Sequence, residues 1–587
     1  MTPEDGPFIL CEGGRCGAEA RLFTCPVEIV RADTIDEVED VLERVGGAAA
    51  RGLHAAGFLT YEAGYALERR LKPLAAGRAT DLPIAWFGLF RDVALLDAHA
   101  VAGWLPDPAG AFACAPRPEM SREVYQAKVL EIAELIAAGE IYQANLAFPA
   151  RLRVTGAPLA LYAGLQARSQ AGWGGVAYTG EHWLLSASPE LFFTNEAGKL
   201  TARPMKGTAA RGRDAKADAA IVAALAADPK NRAENLMIVD LTRNDLSRVS
   251  VPGSVVVPDL YTVETYPTVH HLTSTVEARL VPGLGAIDVL RAAFPCGSIT
   301  GAPKIRAMEA IAALEAGGRG AYTGSMGWIA PDGDAAFNVA IRTLTMRHGG
   351  QEAVMGLGAG IVADSRAVDE WRECLAKGAF VTAGQPPFDL LETMRFDPSE
   401  GIVDLDRHMA RLEASAKALG FALNRHDARN SLHAATFRWR TPRAVRLRLS
   451  RSGEVAIAVG PPPARPEGAV TVAIRRHPLS ASDFRLAHKT SDRGFWAAAR
   501  DDRAFETLFV DAAGFVTEGS FTQVFAGAAD RLVTPPLSRG LLPGVLRARL
   551  LAEGRAREGD LEVEDLEAGF WIGNSLRGLI PARLVGC

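Results

Sequence analysis

Lys206 has the residue type and the surroundings of a nucleophile. It lies in Arg203-Pro-Met-Lys-Gly-Thr208, between a strand-like run at 186–193 and a helical run that opens near Asp214. A loop lysine flanked by proline and glycine can present its amine to a ligand. The amine attacks carbon only when it is deprotonated, which burial beside apolar walls favours. The competing interpretation is an ordinary solvated loop lysine.

Three glutamates have a spacing that suits a hard cation. Glu234 begins an apolar helix over 233–246, where an unpaired buried carboxylate would be costly. Glu370 and Glu373 lie one turn apart on a second predicted helix, 369–377, and therefore share one face. This spacing fits cation coordination as well as it fits a solvated acidic face.

Two β-like segments carry polar residues that could line a cavity. Gln143 and Asn145 alternate with apolar residues, as in a strand with one polar face. One interpretation is that these residues form the wall of a cavity, and the alternative is a half-exposed strand without a functional role. His270 and His271 are adjacent in a second such segment, so at most one of them is expected to face a given pocket.

Glycine-rich segments could meet an anion through their backbone. The turn at 294–304 enters a helix, and exposed N–H groups at a helix start suit an anion. It lacks the ending of a Walker loop. The segment 356–365 offers a second backbone concavity, and 335–343 is predicted to be a strand that carries Arg342.

The chain length and composition predict a soluble protein of several domains. A chain of 587 residues should divide into two to four domains. The net charge of −5 gives no reason to expect nucleic acid or an acidic membrane as a partner. No apolar run is long enough to span a membrane, and the first residues lack the pattern of a secretory signal. Seven scattered cysteines suit a reducing cytoplasm, where we expect the protein to be located.

A second unit is predicted to follow a linker at 382–388. It opens with the segment 390–396 and a helix from about Asp406 to Leu419. The run 443–450 alternates strictly and should be a strand with arginines on one face. Lys489 follows, then a hairpin pattern over 507–518 and a Pro543-Gly544 turn into a helix.

The first unit resembles the chorismate-utilising family, which includes the anthranilate synthase large component, aminodeoxychorismate synthase component I and isochorismate synthases. The motifs lie in order over about residues 50–380: the Tyr-Gln-x-Asn-Leu strand, Ser-Pro-Glu190, Lys-Gly-Thr208, Asp240-Leu-Thr-Arg-Asn-Asp245, His271-Leu, Gly301-Ala-Pro-Lys304, Ile341-Arg-Thr343, Gly-Ala-Gly360 and the Glu370/Glu373 helix. The resemblance implies an α+β domain with two sheets over residues 1–383.

The same resemblance implies roles for individual residues toward chorismate, a dianion whose 4-hydroxyl must leave. Mg²⁺ would be bound by Glu234 and Glu373, with Glu370 close by, and would neutralise the ring carboxylate. The backbone of Gly358 and Gly360 would contact the same carboxylate, and Arg342 with Tyr322 would bind the enolpyruvyl carboxylate. Glu190 and His271 would give acid/base help at the hydroxyl, and Ser298 would make a further contact with the substrate.

Lys206 distinguishes the subfamilies. Anthranilate synthases resembling this chain usually have alanine there, whereas aminodeoxychorismate synthases have lysine. That lysine can attack C2 of the ring and expel the 4-hydroxyl, and ammonia then enters at C4. The chain departs from the family pattern at Cys374, where threonine is common, and at Ala209-Ala210, where Arg-Pro is frequent.

The second unit, residues 384–587, resembles class IV aminotransferase-like proteins, including aminodeoxychorismate lyase. The resemblance implies an α/β domain that binds pyridoxal 5'-phosphate. Lys489 matches the lysine that carries the cofactor, and Glu518 matches the acid that pairs with the pyridine nitrogen. The phosphate would be bound by Arg411, with Gly544, Val545 and Ser575 as further candidates. The Tyr-Gly-Asp-Gly segment usual in this family is missing.

Together the two resemblances imply a bifunctional enzyme that makes 4-aminobenzoate for folate. No glutaminase motif is visible, so ammonia must come from solution or from a separate glutamine amidotransferase subunit. One alternative is an anthranilate or isochorismate synthase fused to an amino-acid transaminase. Another is a synthase with an inactive C-terminal docking module. Class IV proteins commonly dimerise, so a homodimer is also expected.

Overall fold

The computed structural model describes residues 6–14, 19–78, 80–169, 171–266 and 269–585. The opening residues 1–5, Cys16 of the cysteine set, and Pro267 and Thr268 beside the histidine pair lie outside the described residues. The chain forms two compact units. Unit 1 comprises 1–108, 115–152 and 162–384, and unit 2 comprises 109–114, 153–161 and 385–587. The division at 383/384 into two domains remains a prediction.

The elements up to residue 378 alternate strands with helices. The strands are β1 Phe8–Cys11, β2 Ala20–Thr24, β3 Glu28–Ala32, β4 His54–Leu59, β5 Ala85–Phe90, β6 Ala94–Leu96, β7 Phe112–Ala113, β8 Arg117–Pro118, β9 Gln143–Thr155, β10 Gly175–Tyr178, β11 His182–Ser186, β12 Leu191–Glu196, β13 Lys199–Arg203, β14 Met205–Ala210, β15 Val256–Thr265, β16 Val269–Arg279, β17 Gly301–Ala302, β18 Ser325–Ile329, β19 Ala335–Asn338, β20 Thr343–Arg347 and β21 Glu352–Ile361. The helices are α1 Val38–Gly46, α2 Ala63–Leu67, α3 Ala98–Trp104, α4 Arg122–Ala137, α5 Pro158–Ser169, α6 Ala215–Ala227, α7 Pro229–Ser247, α8 Ala286–Ala293, α9 Lys304–Leu314 and α10 Ala367–Gly378.

These strands form two large sheets. One has the order β17-β9-β21-β20-β11-β10-β1-β2-β6, with β7 and β8 paired to β9. The other has the order β14-β16-β13-β12-β19-β18-β4-β5-β3, with β15 paired to β16. Apolar side chains of the second sheet pack with α1 and α8 in one core that includes Phe193 and Phe337. Strands with long buried runs, such as β5, require apolar cover on both faces.

Unit 2 contains a small sheet and a larger one. Its elements are β22 Leu390–Asp397, β23 Gly401–Ile402, α11 Leu405–Leu419, α12 Arg425–Thr436, β24 Arg443–Leu449, β25 Val455–Gly460, β26 Val470–Arg476, α13 Phe484–Ala487, α14 Gly494–Ala499, β27 Glu506–Val510, β28 Val516–Gly519, β29 Gln523–Ala528, β30 Arg531–Thr534, α15 Val545–Ala552, β31 Ala556–Glu558, β32 Phe570–Asn574 and β33 Gly578–Leu584. The sheet orders are β23-β22-β24-β25 and β28-β27-β26-β33-β32-β29-β30-β31. In the larger sheet β26 pairs in parallel with both β27 and β33.

Two short segments of the first half of the chain belong to unit 2. Phe112 of the 109–114 segment packs edge to face with Phe388, at 5.4 Å between ring centroids, and also meets Phe484 at 5.7 Å. Together with apolar residues of β22, α11 and β24 they form a single core. The small sheet of unit 2 is therefore covered in part by residues that precede it by almost 300 positions.

Several predicted elements are present, and two predictions were wrong. The helix after Ser121 is α4, and the Ser121 hydroxyl accepts from the Val124 N–H at 3.3 Å, as an N-cap does. Lys206, however, lies on strand β14 rather than in a loop, at the register shift between Met205 and Thr208, both of which pair with β16. Arg342 does not lie on a strand: it separates β19 from β20 with a left-handed φ of 50°. Among the described helices none is long and apolar enough to cross a membrane.

Candidate active sites

Alternate glycines of β21 leave space for the functional groups of unit 1. A β-carbon on Gly360 would lie 2.8 Å from Gln143 Nε2 and 3.2 Å from Lys206 Nζ. At Gly358 it would lie 2.9 Å from the Tyr322 hydroxyl. At Gly358 the Leu146 carbonyl oxygen, 2.8 Å away, leaves no room for a side chain, and at Gly360 a side chain would displace the ends of Gln143 and Lys206. The Lys206 amine and the Gln143 amide therefore lie over Gly360, and the Tyr322 hydroxyl lies over Gly358, because glycine has no side chain to hinder a close approach.

The Lys206 amine has no partner within the part of the chain that the structure describes. It makes no hydrogen bond or salt bridge there, although Glu190 and Glu234 are close enough to act on it electrostatically. Loss of water lowers the pKa of Lys206, and the two carboxylates only partly oppose this. A lysine with a lowered pKa and an unpaired amine is suited to nucleophilic attack.

Glu190 and Ser298 form a buried pair. The Ser298 hydroxyl donates to Glu190 Oε1 at 2.6 Å, and the carboxyl group is 3% exposed. Burial raises the pKa of Glu190 to about 7, against the opposing effects of the Ser298 hydrogen bond and Lys206. A carboxyl group with this pKa can give up or take a proton near neutral pH, as a general acid or base must.

His271 is held neutral, and one of its ring nitrogens has no partner among the described residues. Its Nδ1 lies 2.9 Å from the Thr208 hydroxyl, and its buried Nε2 is the nitrogen without such a partner. Burial, with a contribution from Arg342, lowers the pKa of His271 to about 3. His270 instead pairs with Asp218 at 2.8 Å, so the two adjacent histidines face different surroundings, as strand geometry predicts.

Arg342 presents a guanidinium group that has no partner among the described residues, whereas the Tyr322 hydroxyl interacts with the Asn145 side chain. The Arg342 guanidinium makes no ion pair or hydrogen bond with any described residue, and burial lowers its pKa. The Tyr322 side chain is 8% exposed, and its hydroxyl is placed over Gly358. An arginine left unpaired and partly desolvated fits a carboxylate ligand.

The three predicted metal ligands lie on two helices. Glu370 and Glu373 project from α10, and Glu234 projects from α7. Lys377 donates to Glu373 at 2.8 Å, and Ser365 donates to Glu370 at 2.7 Å. In the described part of the chain, no three His, Cys, Asp or Glu residues are grouped as metal ligands.

The Glu234 carboxylate is nevertheless suited to a cation. It is half-buried and accepts no hydrogen bond or ion pair from described residues, and burial raises its pKa. The charge of Glu373 contributes to that rise, so the two carboxylates are electrostatic neighbours. A bound cation would offset both the burial of the Glu234 charge and its repulsion from Glu373. Mg²⁺ commonly binds through one or two carboxylates with retained waters.

Lys377 is a residue of this site that the sequence analysis missed. Besides Glu373 it donates to the Gly358 carbonyl oxygen at 3.0 Å, which connects α10 to β21. The contact between Lys377 and Glu373 could have been predicted from their spacing of four residues, because residues i and i+4 are neighbours on a helix.

Unit 2 contains a cavity of about 480 Å³. All six residues that the resemblance assigned to the cofactor line it: Lys489, Glu518, Arg411, Gly544, Val545 and Ser575. They come from segments up to 164 positions apart in sequence, so their convergence is a property of the fold.

Lys489 follows helix α13, and its backbone is fixed by β22. Its carbonyl oxygen accepts from the Leu391 N–H at 2.8 Å. Burial lowers the pKa of Lys489 to about 7, and Arg411 contributes to the lowering. The amine can therefore exchange a proton near neutral pH.

Arg411 is oriented by a buried carboxylate that the sequence analysis missed. Glu392 accepts from Arg411 Nε at 2.8 Å and from its Nη2 at 2.6 Å, and it also pairs with His408 Nδ1 at 2.6 Å. Burial alone would raise the pKa of Glu392, but Arg411 and His408 outweigh burial and lower it to about 2. Glu392 was visible in sequence only as one acid in an apolar strand.

Glu518 and the start of α15 lie at the same cavity. The Leu542 N–H donates to Glu518 Oε1 at 3.1 Å, and burial raises the pKa of Glu518 to about 8. Gly544 is the N-cap of α15, and a side chain there would overlap the Gln523 amide. The N–H groups of the first helical turn have no side-chain cap and are available to an anion.

Sequence comparisons agree with this architecture. The chain belongs to the chorismate binding enzyme family, whose sequence model matches residues 14–383. Residues 389–585 match the class IV aminotransferase family. Both parts of the predicted fold class are thereby confirmed.

The relatives of the first unit come from two branches of the family. The chain is 42% identical over 335 residues to aminodeoxychorismate synthase component 1 of Klebsiella aerogenes, covering 54% of this chain and 74% of that protein. It is 40% identical over 270 residues to anthranilate synthase component 1 of Haloferax volcanii, covering 46% and 52%. Among solved structures, anthranilate synthase component I from Streptococcus pneumoniae TIGR4 superposes with a TM-score of 0.55 at 27% identity, over 62% of this chain and 92% of that one.

Proposed function

We propose that this chain makes 4-aminobenzoate for folate biosynthesis from chorismate and ammonia, in two reactions, one in each unit. The first replaces the 4-hydroxyl of chorismate with an amino group. The second removes the enolpyruvyl group as pyruvate. The observation that carries the proposal is the Lys206 amine: it is unpaired among described residues, its pKa is lowered, and it lies against Gly360.

In unit 1 the deprotonated Lys206 amine attacks C2 of chorismate, and both ring double bonds shift, from C1=C2 and C5=C6 to C1=C6 and C4=C5, which breaks the bond to the 4-hydroxyl. Glu190, whose pKa is about 7, supplies the proton with which the hydroxyl leaves as water. Ammonia then adds at C4 and returns a proton to Glu190, both double bonds shift back, and the bond between C2 and Lys206 breaks. The lysine is regenerated, and the sum is chorismate plus ammonia giving aminodeoxychorismate plus water.

Other residues of unit 1 bind the substrate. Arg342 and Tyr322 bind the enolpyruvyl carboxylate, because the Arg342 guanidinium is unpaired among described residues. Neutral His271 would contact the hydroxyl that leaves through its Nε2, which has no partner among described residues. Glu234 and Glu373 would hold Mg²⁺, with Glu370 close by, and the bound cation supplies neutralisation of the ring carboxylate. The Gly358 and Gly360 backbone contacts the same carboxylate.

In unit 2 the substrate would be aminodeoxychorismate. Pyridoxal 5'-phosphate, held by Lys489, Glu518, Arg411 and the start of α15, supplies an electron sink when bound. Lys489 takes the proton from C4 of the substrate, which its pKa of about 7 permits. The bond to the enolpyruvyl oxygen breaks as the ring becomes aromatic, and the proton returns to the leaving group, which departs as pyruvate.

The complete cavity of unit 2 supports an active second unit over an inactive docking module. Its six expected residues converge, and two of them have pKa values shifted toward neutrality. Lys206 supports the aminodeoxychorismate branch over the anthranilate branch. Ammonia for the first reaction would come from a separate glutamine amidotransferase subunit.

One incubation tests the proposal. Pure full-length protein is mixed with chorismate, Mg²⁺, ammonium and pyridoxal 5'-phosphate, and the products are separated. We expect 4-aminobenzoate and pyruvate in equal amounts. Aminodeoxychorismate alone would contradict the function proposed for unit 2, and anthranilate would contradict that of Lys206.

A further inference from the structure

The cavity of unit 2 carries more positive charge than the phosphate of a cofactor requires. Four of its arginines, Arg446, Arg493, Arg500 and Arg577, form no ion pair with a carboxylate in the described part of the chain. Arg411 and Arg485, by contrast, are paired with Glu392 and Asp483. A cavity of this kind attracts an anion with several charges.

Arg500 and Arg577 form a distinct pair about one aromatic ring. The guanidinium carbon of each lies 5.2 Å from the centroid of Phe521. Arg577 Nε is buried and has no hydrogen-bond partner in the part of the chain that the structure describes. A buried donor left unsatisfied is costly, and an anion between the two guanidinium groups would satisfy it.

Hydrogen bonds within unit 2 hold the segments that carry Phe521, Arg500 and Arg577 in place without a ligand. The Asn574 side chain donates to the Phe521 carbonyl oxygen at 3.1 Å and accepts from the Arg577 N–H at 3.0 Å. Glu506 fixes the other side of the turn by accepting from the Phe521 N–H at 3.2 Å. Arg500 donates to the Phe505 carbonyl oxygen at 2.9 Å, which limits its movement. The turn that carries Phe521, the Arg577 backbone and the Arg500 side chain are therefore preorganised.

We propose that Arg500 and Arg577, arranged about Phe521, bind the ring carboxylate of the substrate, so that this cavity selects a cyclic dicarboxylate rather than a simple α-amino acid. The assignment of that carboxylate to aminodeoxychorismate rests on the proposed function. Phe505 and Trp496 also line the cavity and provide apolar surface for the ring. Arg446 and Arg493 are close enough to Lys489 to lower its pKa, and they would bind the second carboxylate of the substrate.

Binding of the expected product tests the subsite apart from turnover. Tryptophan fluorescence of the full-length protein loaded with pyridoxal 5'-phosphate is titrated with 4-aminobenzoate and with 4-aminobenzamide, which lacks the carboxylate. In Arg577→Met the Kd for 4-aminobenzoate should rise about tenfold or more, since a hydrogen bond to a charged group is lost. The Kd for 4-aminobenzamide should stay unchanged. Arg500→Met should behave similarly, and Arg577→Lys should restore part of the affinity.

Arg451→Met is the matched control, because Arg451 also lies over aromatic rings of unit 2, 4.9 Å from the centroid of Phe112, but does not line the cavity. It should leave both Kd values unchanged. Equal loss of both ligands in Arg577→Met, or unchanged binding of 4-aminobenzoate, would overturn the subsite. Failure of the wild-type protein to release pyruvate would instead overturn the proposed function. The ratio of the two Kd values decides the subsite in either case.

Discussion

The Ser298 hydroxyl and the Glu190 carboxylate are joined by a hydrogen bond of 2.6 Å in the interior of unit 1. Burial raises the pKa of Glu190 to about 7, and this hydrogen bond favours the ionised form and limits the rise. Ser298 therefore sets the pH range in which Glu190 can donate a proton.

The rate of aminodeoxychorismate formation should fall as the pH rises through about 7, because only protonated Glu190 can act as the acid. In Ser298→Ala the carboxylate loses a hydrogen bond that favours ionisation, so its pKa rises further and the fall should move to higher pH. The measurement is kcat/KM against pH at a constant concentration of free ammonia. Glu190→Gln should lack this limb, and an unshifted profile in Ser298→Ala would contradict the role of the pair.

Replacing Lys206 with alanine should abolish amination. Because the amine forms the proposed bond to C2, Lys206→Ala should lower kcat for aminodeoxychorismate formation by about a hundredfold or more. The matched control is Lys199→Ala on β13, the strand that precedes β14 in the chain, whose lysine is exposed and pairs with Glu277. Full activity of Lys206→Ala with chorismate and ammonium would show that the lysine forms no covalent bond.

Removal of Lys489 should separate the two reactions. Lys489→Ala should accumulate aminodeoxychorismate, release no pyruvate and lose the visible absorbance of the cofactor bound to the lysine. Products are followed by chromatography, and absorbance is read on the purified full-length protein. Lys417→Ala, an exposed lysine on α11, serves as the control and should behave as wild type. Undiminished 4-aminobenzoate from pure Lys489→Ala would contradict the proposed role of Lys489.

Glu392 should give unit 2 a pH-dependent stability. Its pKa is lowered to about 2 in the folded state from an ordinary value of 4.5, so its contribution is present above pH 4.5 and is lost as the pH falls toward 2. We expect Glu392→Gln to lower the free energy of unfolding by about 3 kcal/mol at pH 7, because it leaves Arg411 without its buried partner.

Calorimetry of the full-length protein between pH 7 and pH 3 measures this effect. The difference in stability between wild type and Glu392→Gln should shrink as the pH is lowered. Glu413→Gln, on the exposed side of the same helix α11, should change stability little at any pH. A constant difference across the pH range would show that Glu392 is not ionised in the folded protein.

Local sequence signals predicted the helices well. α4 was predictable because its capping Ser121 and its helical periodicity lie within a short window, and α10 because its periodicity does. Lys206 was predicted in a loop because its strand is formed by pairing with β16, more than 60 positions away. The left-handed backbone of Arg342 has the same explanation: a strand-like sequence is broken by its tertiary surroundings.

The candidate sites were predictable only where motifs resemble a family. Lys206, Glu190 and Lys489 belong to such motifs, so they were found. The arginine pair about Phe521 was not, because residues 500, 521 and 577 meet only in the folded chain and no single segment carries the pattern. Glu392 likewise becomes informative only when His408 and Arg411 of α11 lie against it.

The two short segments that unit 2 draws from the first half of the chain affect how the gene can be divided. A single cut at residue 384 would give a C-terminal fragment without Phe112, and the aromatic faces of Phe388 and Phe484 that pack on it would be exposed to water. Recombination at that junction would therefore give a unit 2 that lacks part of its apolar core.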